Sequence, residues 1–262
     1  MKNFINPYYL VDFNSSICNF KIYINDIPVF SHSGGGIISS HYPINHFILE
    51  SGEQKIKLKI LPLKGETILK DDAFLKIKVH AYDDYTNNYE NLLEVFNFET
   101  PNLSNPKLPL IEIDANFIAD IPYKVSGWKN SIFLDDVDKI KNELISFYEE
   151  IYELAKTQNS IAFYKLLKTR LDEIDVAMYM RNEDNLTELK NMFDNLNKEN
   201  FLLEDFPKLS EIEIYGENRI FNLIRSDKNP ILHYVNKITN EEFNLPLFVH
   251  RKVNSSNFEI IR

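Results

Sequence analysis

The spacing of apolar residues changes at residue 135, and nothing else in this 262-residue chain limits its fold as much. Before that point the period is two. In the second half of HFILESGEQKIKLKILPL (46–63), Ile56, Leu58 and Ile60 alternate with Lys55, Lys57 and Lys59. Successive side chains of a strand point to opposite faces, so this is a strand with one dry and one wet face. AFLKIKVHAY (73–82) repeats the device, setting Leu75, Ile77 and Val79 against Phe74, Lys76 and Lys78. NFKIYINDIPVF (19–30) puts Phe20, Ile22 and Ile24 on one face, with Asn25 and Asp26 as turn residues. HFILESGEQKIKLKILPL (46–63) predicts a hairpin that turns at Ser51, Gly52 and Glu53. With 92–99 and 115–123 there are at least seven short strands at fairly even spacing. That pattern predicts an antiparallel β-sandwich over residues 1–124.

From Asp135, which is placed to cap a helix, the apolar steps are three and four. Val137, Ile140, Leu144, Phe147, Ile151 and Leu154 form one stripe of a long amphipathic helix. Ser160 is placed to cap a second helix, with Phe163, Leu166, Leu167, Leu171 and Ile174 inward. A third is predicted at 185–198 on Leu186, Leu189, Met192, Phe193 and Leu196, and Pro207 closes the helical region. Alternation then returns in 209–215, 219–225, 230–237, 246–253 and 257–262, with Gly216, Glu217 and Asn218 as a turn. Three helices followed by four or five antiparallel strands predict an α+β domain over 135–262. The stretch 125–134 reads as a linker, and Trp128, the single tryptophan, as an aromatic packing at the junction.

Composition narrows the function classes. Hydrophobic residues make up 44% and charged residues 26%, and 19 Phe with 14 Tyr supply a sizeable core. The net charge of −10 disfavours nucleic acid, whose phosphates reward clustered Lys and Arg, and it favours a basic partner. One cysteine, Cys18, excludes an intramolecular disulfide and a thiolate zinc site, and suits a reducing compartment. MKNFINPYYLVDF has no leader pattern, and no apolar run approaches 18 residues. The expected location is the cytoplasm, or the periplasm had a leader been trimmed, with no membrane span.

The order of helices and strands after residue 132, and the ending FVHRKVNSSNFEIIR, resemble the nuclear-transport-factor-like (SnoaL-like) cone fold. That resemblance implies three helices packed on a curved antiparallel sheet, around a pocket. It leaves function open, because the fold hosts isomerases, dehydratases, hydrolases and binding modules. YINDIPVF and HYPINHFILESGEQKIKLKILPL resemble the β-sandwich of uncharacterised bacterial proteins. The two-part layout is similar to immunity proteins encoded beside secreted toxins of interbacterial competition systems, which implies a protein that binds and blocks one cognate toxin.

The candidate sites each have a structural reading beside the functional one. Gly34, Gly35 and Gly36 stand in a row, but no Lys and no helix pattern follows, so they are not a phosphate loop. They predict an exposed turn between strands and a contact loop for a partner. His32, His41 and His46 lie too irregularly for zinc, and no metal or cofactor is expected. A cone pocket would be lined by Tyr148 and Tyr152 of the first helix, Asp172, Asp175 and Tyr179 of the second, and His233 of a strand. An aspartate and a histidine there could share acid–base work, or all could be satisfied core and surface polar groups. The Lys stripes read as solvated sheet faces; the acidic segments 135–138, 148–153 and 181–185 read as helix-start chemistry or a surface for a basic partner. No GxSxG, HExxH or kinase motif is present. The reading is a non-enzymatic protein-binding module, most concretely an immunity protein. The alternatives are a small-molecule binder or isomerase- or hydrolase-like enzyme using the second domain's pocket, or a structural component of an assembly.

Overall fold

A computed structural model describes residues 4–86, 88–104, 107–180 and 184–262, with only the main chain at 88 and 90. Residues 105–106, in the stretch NLSNPKLP (102–109) whose Pro and Asn content predicts a loop, and residues 181–183 of the acidic segment 181–185 lie outside the described residues. Among the described residues there are three α-helices and fifteen strands, and the strands form four antiparallel sheets. The chain divides into two compact units: Met1–Val125 with Val176–Tyr179, and Ser126–Asp175 with Met180–Arg262.

The first unit holds β1 (Pro7–Ser16), β2 (Asn19–Ile24), β3 (Ile27–His32), β4 (Ile38–Pro43), β5 (Gly52–Leu61), β6 (Phe74–Asp83), β7 (Asn88–Glu99) and β8 (Ile111–Ala119). Their orders are β4-β1-β6-β7 and β3-β2-β5-β8, so the chain passes repeatedly from one sheet to the other. The two-residue period explains the core. Val11, Ile22, Leu58, Ile77 and Val79 are fully buried, and Phe13 of the first sheet stacks on Phe30 of the second at 4.3 Å. Burying each such side chain contributes about 1.5–3 kcal/mol. The Lys stripes face outward and meet carboxylates across the strands: Lys59 reaches Glu112 at 3.0 Å and Lys57 reaches Asp114 at 3.3 Å. Asn25 and Asp26, at φ 51° and 65°, make the two-residue turn that joins β2 to β3.

One hairpin expectation is corrected. Residues 46–50 form no strand; Asn45–Phe47 is a turn of 3-10 helix, and β5 pairs with β2 and β8 instead. The cause is Asn45, which is fully buried. Its carboxamide accepts from Tyr9 N at 2.6 Å and donates to Pro7 O and Ala177 O at 3.0 and 3.1 Å. A side chain that takes over main-chain bonds in this way competes with the sheet ladder.

In the second unit, a 3-10 turn at Val137–Lys139 precedes α1 (Lys141–Lys156), and α2 (Ser160–Ala177) and α3 (Asn185–Lys198) follow. The first helix therefore starts later than the stripe implied, and Asp136 rather than Asp135 accepts a main-chain N–H at the turn. Asn159, not Ser160, caps α2 by accepting from Ala162 N, and Asp184 caps α3 by accepting from Thr187 N. Residues 131–134 are not a free linker. Ser131 bridges Lys252, and the N–H groups of Ile132 and Leu134 donate to Arg251 and Asn218. Trp128 is buried under the Arg262 guanidinium at 5.3 Å and beside Gly216, both in this unit.

The last strands are β9 (Leu202–Leu203), β10 (Ser210–Tyr215), β11 (Ile220–Arg225), β12 (Leu232–Asn236), β13 (Glu241–Leu245), β14 (Val249–Arg251) and β15 (Phe258–Ile260). They make two sheets, β10-β11-β14-β15 and β13-β12-β9, where the sequence suggested one. Gly216, Glu217 and Asn218 all have positive φ, as the tight turn from β10 to β11 requires.

Candidate functional site

The solvent face of the β4-β1-β6-β7 sheet in the first unit carries a hollow and a set of polar side chains. It is built by parity. In β1 the odd residues Tyr9, Val11, Phe13 and Ser15 are buried, which turns Tyr8, Asp12 and Asn14 outward. In β6 the same rule turns Lys76, Lys78, His80 and Tyr82 to that face. A hollow of about 410 Å³ lies there, lined by Asp12, Phe13, Asn14, Ser39, Ser40, His41, Lys76 and Lys78.

Its charges are arranged in pairs across the strands. Lys76 meets Glu99 at 3.1 Å and Lys78 meets Glu94 at 2.6 Å. The bond from Lys78 holds the Glu94 carboxyl below the ordinary range. Asp12 reaches Nδ1 of the nearly buried His80 at 3.1 Å. The hollow therefore offers donors and acceptors side by side, which suits polar recognition more than a proton-transfer step.

The edge of this sheet at β4 is unusual. Natural edges are guarded by charges, prolines or bulges. β8 carries Glu112 and Asp114, β7 carries Glu94 and Glu99, and β3 has Pro28 and a register shift opposite Ile22 and Tyr23. β4 reads ISSHYP, with no charged side chain and proline only at its end. The glycine run leads into it, crossing from β3 of one sheet to β4 of the other. Gly35 has φ +67°, and a Cβ there would come 2.7 Å from Leu63; around Gly36 there is open space. The next residue, Ile37, is 84% exposed.

A row of tyrosines occupies the other end of the face. Tyr8 and Tyr82 are direct cross-strand partners with ring centroids 5.4 Å apart, and Tyr89 of β7 lies 4.5 Å from Tyr82. This row was missed in the sequence. The available signal was the outward parity of β6, where lysine gives way to His80 and then Tyr82.

The pocket residues expected in the second half are held by separate partners. Tyr148 is fully buried and its hydroxyl donates to Leu247 O; burial pushes its pKa well up. Tyr152 packs edge-on against Phe206 at 5.5 Å. Asp175 accepts from Asn185 Nδ2 at 2.7 Å, and the exposed Asp172 is paired with Lys168. His233 Nδ1 bonds Asn244 Oδ1 at 2.7 Å. Tyr179 belongs to the first unit, where its hydroxyl donates to Pro7 O at 3.1 Å. Side chains of the three helices and of the strands share one apolar cluster that includes Leu144, Ile151, Phe163, Phe193, Phe221 and Leu232.

The three histidines of the N-terminal half go to different places. His32 lies against Phe20, His46 against Phe47, and His41 at the hollow. Among the described residues no three His, Cys, Asp or Glu side chains converge as metal ligands would. Cys18 is buried and donates to Phe74 O, and burial pushes its thiol to about 11. The second unit contains a buried dyad: Ser131 Oγ and His250 Nδ1 are 2.6 Å apart. Among the described residues no helix is long and apolar enough to cross a membrane. Compared with models of protein families, with curated proteins and with solved structures, the chain has no match.

Proposed function

We propose that this chain is a protein-binding module that blocks its partner by covering it, most concretely an immunity protein for a secreted bacterial toxin. On this reading the first unit is a β-sandwich that supplies the docking face, and the second a cone-like α+β domain. The observation that carries it is the hollow of about 410 Å³ on the solvent face of the β4-β1-β6-β7 sheet. Such a hollow suits the side chains of a protein loop. Beside it, β4 offers an unguarded edge to an extended segment, and the glycine run presents Ile37. The net charge of −10 favours a basic partner and speeds encounter with it.

The rival, a ligand-binding or enzymatic pocket in the second unit, has less support. Tyr148, Asp175 and His233 are tied to separate partners, and Tyr148 and Tyr152 belong to the apolar cluster shared by the helices and strands.

The test is co-purification of the chain with the products of neighbouring genes, together with protection of cells that express them. The intact chain should form a stable complex and protect. Deleting Gly34, Gly35 and Gly36 should weaken the complex while the circular dichroism spectrum stays unchanged. Failure of every neighbour to bind, with no protection, would sink the proposal.

A further inference from the structure

The end of the sheet face at the β6–β7 hairpin has features that the hollow does not use. Tyr8, Tyr82 and Tyr89 form a continuous row of rings over three strands, and the Tyr82 and Tyr89 hydroxyls are 3.5 Å apart. The row is half open: Tyr82 is buried beneath, whereas Tyr89 is 57% exposed, and Tyr85 in the same hairpin is 64% exposed. Large aromatic side chains left in water at one place mark a contact surface more often than chance placement does.

Two aspartates follow Tyr82 in the hairpin, of which Asp83 is buried. Asp83 shapes the hairpin by accepting from Asn6 N at 2.9 Å and from Tyr85 N at 3.3 Å. Asp84 follows it, tied to the chain just before β1 by its N–H on Asn6 O at 2.9 Å, and after burial its charge is the next cause that raises the Tyr8 hydroxyl. Elsewhere on this face the outward carboxylates have side-chain partners: Glu99 has Lys76, Glu94 has Lys78 and Asp12 has the imidazole of His80. Among the described residues Asp83 and Asp84 form no ion pair. Negative ring faces and the carboxylate of Asp84, which has no ion pair among the described residues, attract the same thing, a cation. A flat guanidinium satisfies both better than an ammonium, because it stacks on a ring while donating at its edge.

We infer that the Tyr8–Tyr82–Tyr89 row with Asp84 is an arginine-binding patch, which seats an arginine side chain of a basic protein partner. The inference rests on the protein-binding reading above and names the chemistry of its partner. The partner's arginine stacks on Tyr89 with its N–H groups toward Asp84, and the hollow receives the neighbouring part of the same partner.

Two measurements on the intact chain test it. The first is titration with nona-arginine and nona-lysine peptides of equal charge at physiological salt, read by calorimetry. Nona-arginine should bind several-fold more tightly than nona-lysine. Tyr89→Ala and Asp84→Asn should each weaken it roughly fivefold or more, whereas Asp114→Asn, on the other sheet, should not. Tyr89 is mostly exposed, so its truncation spares the core, and Asp84→Asn removes charge alone. Equal binding of the two peptides, unchanged by Tyr89→Ala, overturns the inference. The second uses the partner once captured. A complex that forms with the intact chain and is indifferent to Tyr89→Ala and Asp84→Asn overturns the patch but leaves the protein-binding reading standing. If no partner is captured at all, that reading fails, and the peptide titration still decides whether the patch prefers arginine.

Discussion

Acid should destabilise the second unit through His250. This histidine is fully buried on β14, with Nδ1 on the Ser131 hydroxyl and no partner for Nε2 among the described residues. Its pKa is lowered from 6.5 to about 4, first by burial; Lys252 and Arg262 lower it further, while Glu259 and Glu173 act the other way. The unfolded chain therefore binds the proton near pH 6.5 and the folded chain only near pH 4. The His250 contribution is fully present above 6.5, falls as the pH drops through that window, and is lost below it. A shift of about 2.5 units corresponds to about 3 kcal/mol over the whole window, of which about 2 kcal/mol is gone by pH 5. Trp128 is the single tryptophan and lies in the same unit, so its fluorescence reports this unit's unfolding. Urea titrations at pH 7.5 and 5 should give a larger loss of stability for the intact chain than for His250→Gln, by about 2 kcal/mol. His250→Gln has no proton to take up and retains an amide for Ser131. Identical pH dependence in the two proteins would refute the reasoning, because the acid sensitivity would then lie elsewhere.

Three further outcomes are expected. Gly216→Ala should lower stability by roughly 1–3 kcal/mol in urea titration, since φ is +59° and the new Cβ would stand 3.0 Å from Trp128 and 3.1 Å from Ile220. Asn45→Ala should cost about 2–4 kcal/mol, because Tyr9 N, Pro7 O and Ala177 O lose a buried partner together; a midpoint within error of the intact chain would contradict this. Cys18 should resist a thiol reagent until the protein unfolds, as its thiol is buried and its pKa is pushed to about 11; rapid labelling of native protein would refute it.

How much of the fold was legible varies with the type of signal. Strands β5 and β6 were plain because Lys alternates with Ile, Leu or Val, and α3 because Leu189, Phe193 and Leu196 recur at helical steps. The sheet at β9 and β13 was not, since two residues, Leu202 and Leu203, and the polar run EEFNL carry no period of their own. Asn45 misled for a related reason. Its strand-like neighbours suggested a ladder, and only burial showed that its carboxamide replaces one. The tyrosine row could be suspected from parity along β6 alone, but Tyr8 and Tyr89 meet Tyr82 only through pairing with distant strands.

The sequence by itself determined what is local: the two periods, the turns at Asn25 and Gly216, the outward Lys stripes, and the acidic charge. These depend on residues within a few positions of each other, where strand and helix geometry fix which side chains share a face. The tertiary structure alone decided which strands pair, that β3 and β4 belong to different sheets across the glycine run, and that Tyr8, Tyr82 and Tyr89 form one row. Strand order depends on long-range contacts between side chains far apart in the chain, and hydrophobic alternation is the same whichever neighbour a strand takes.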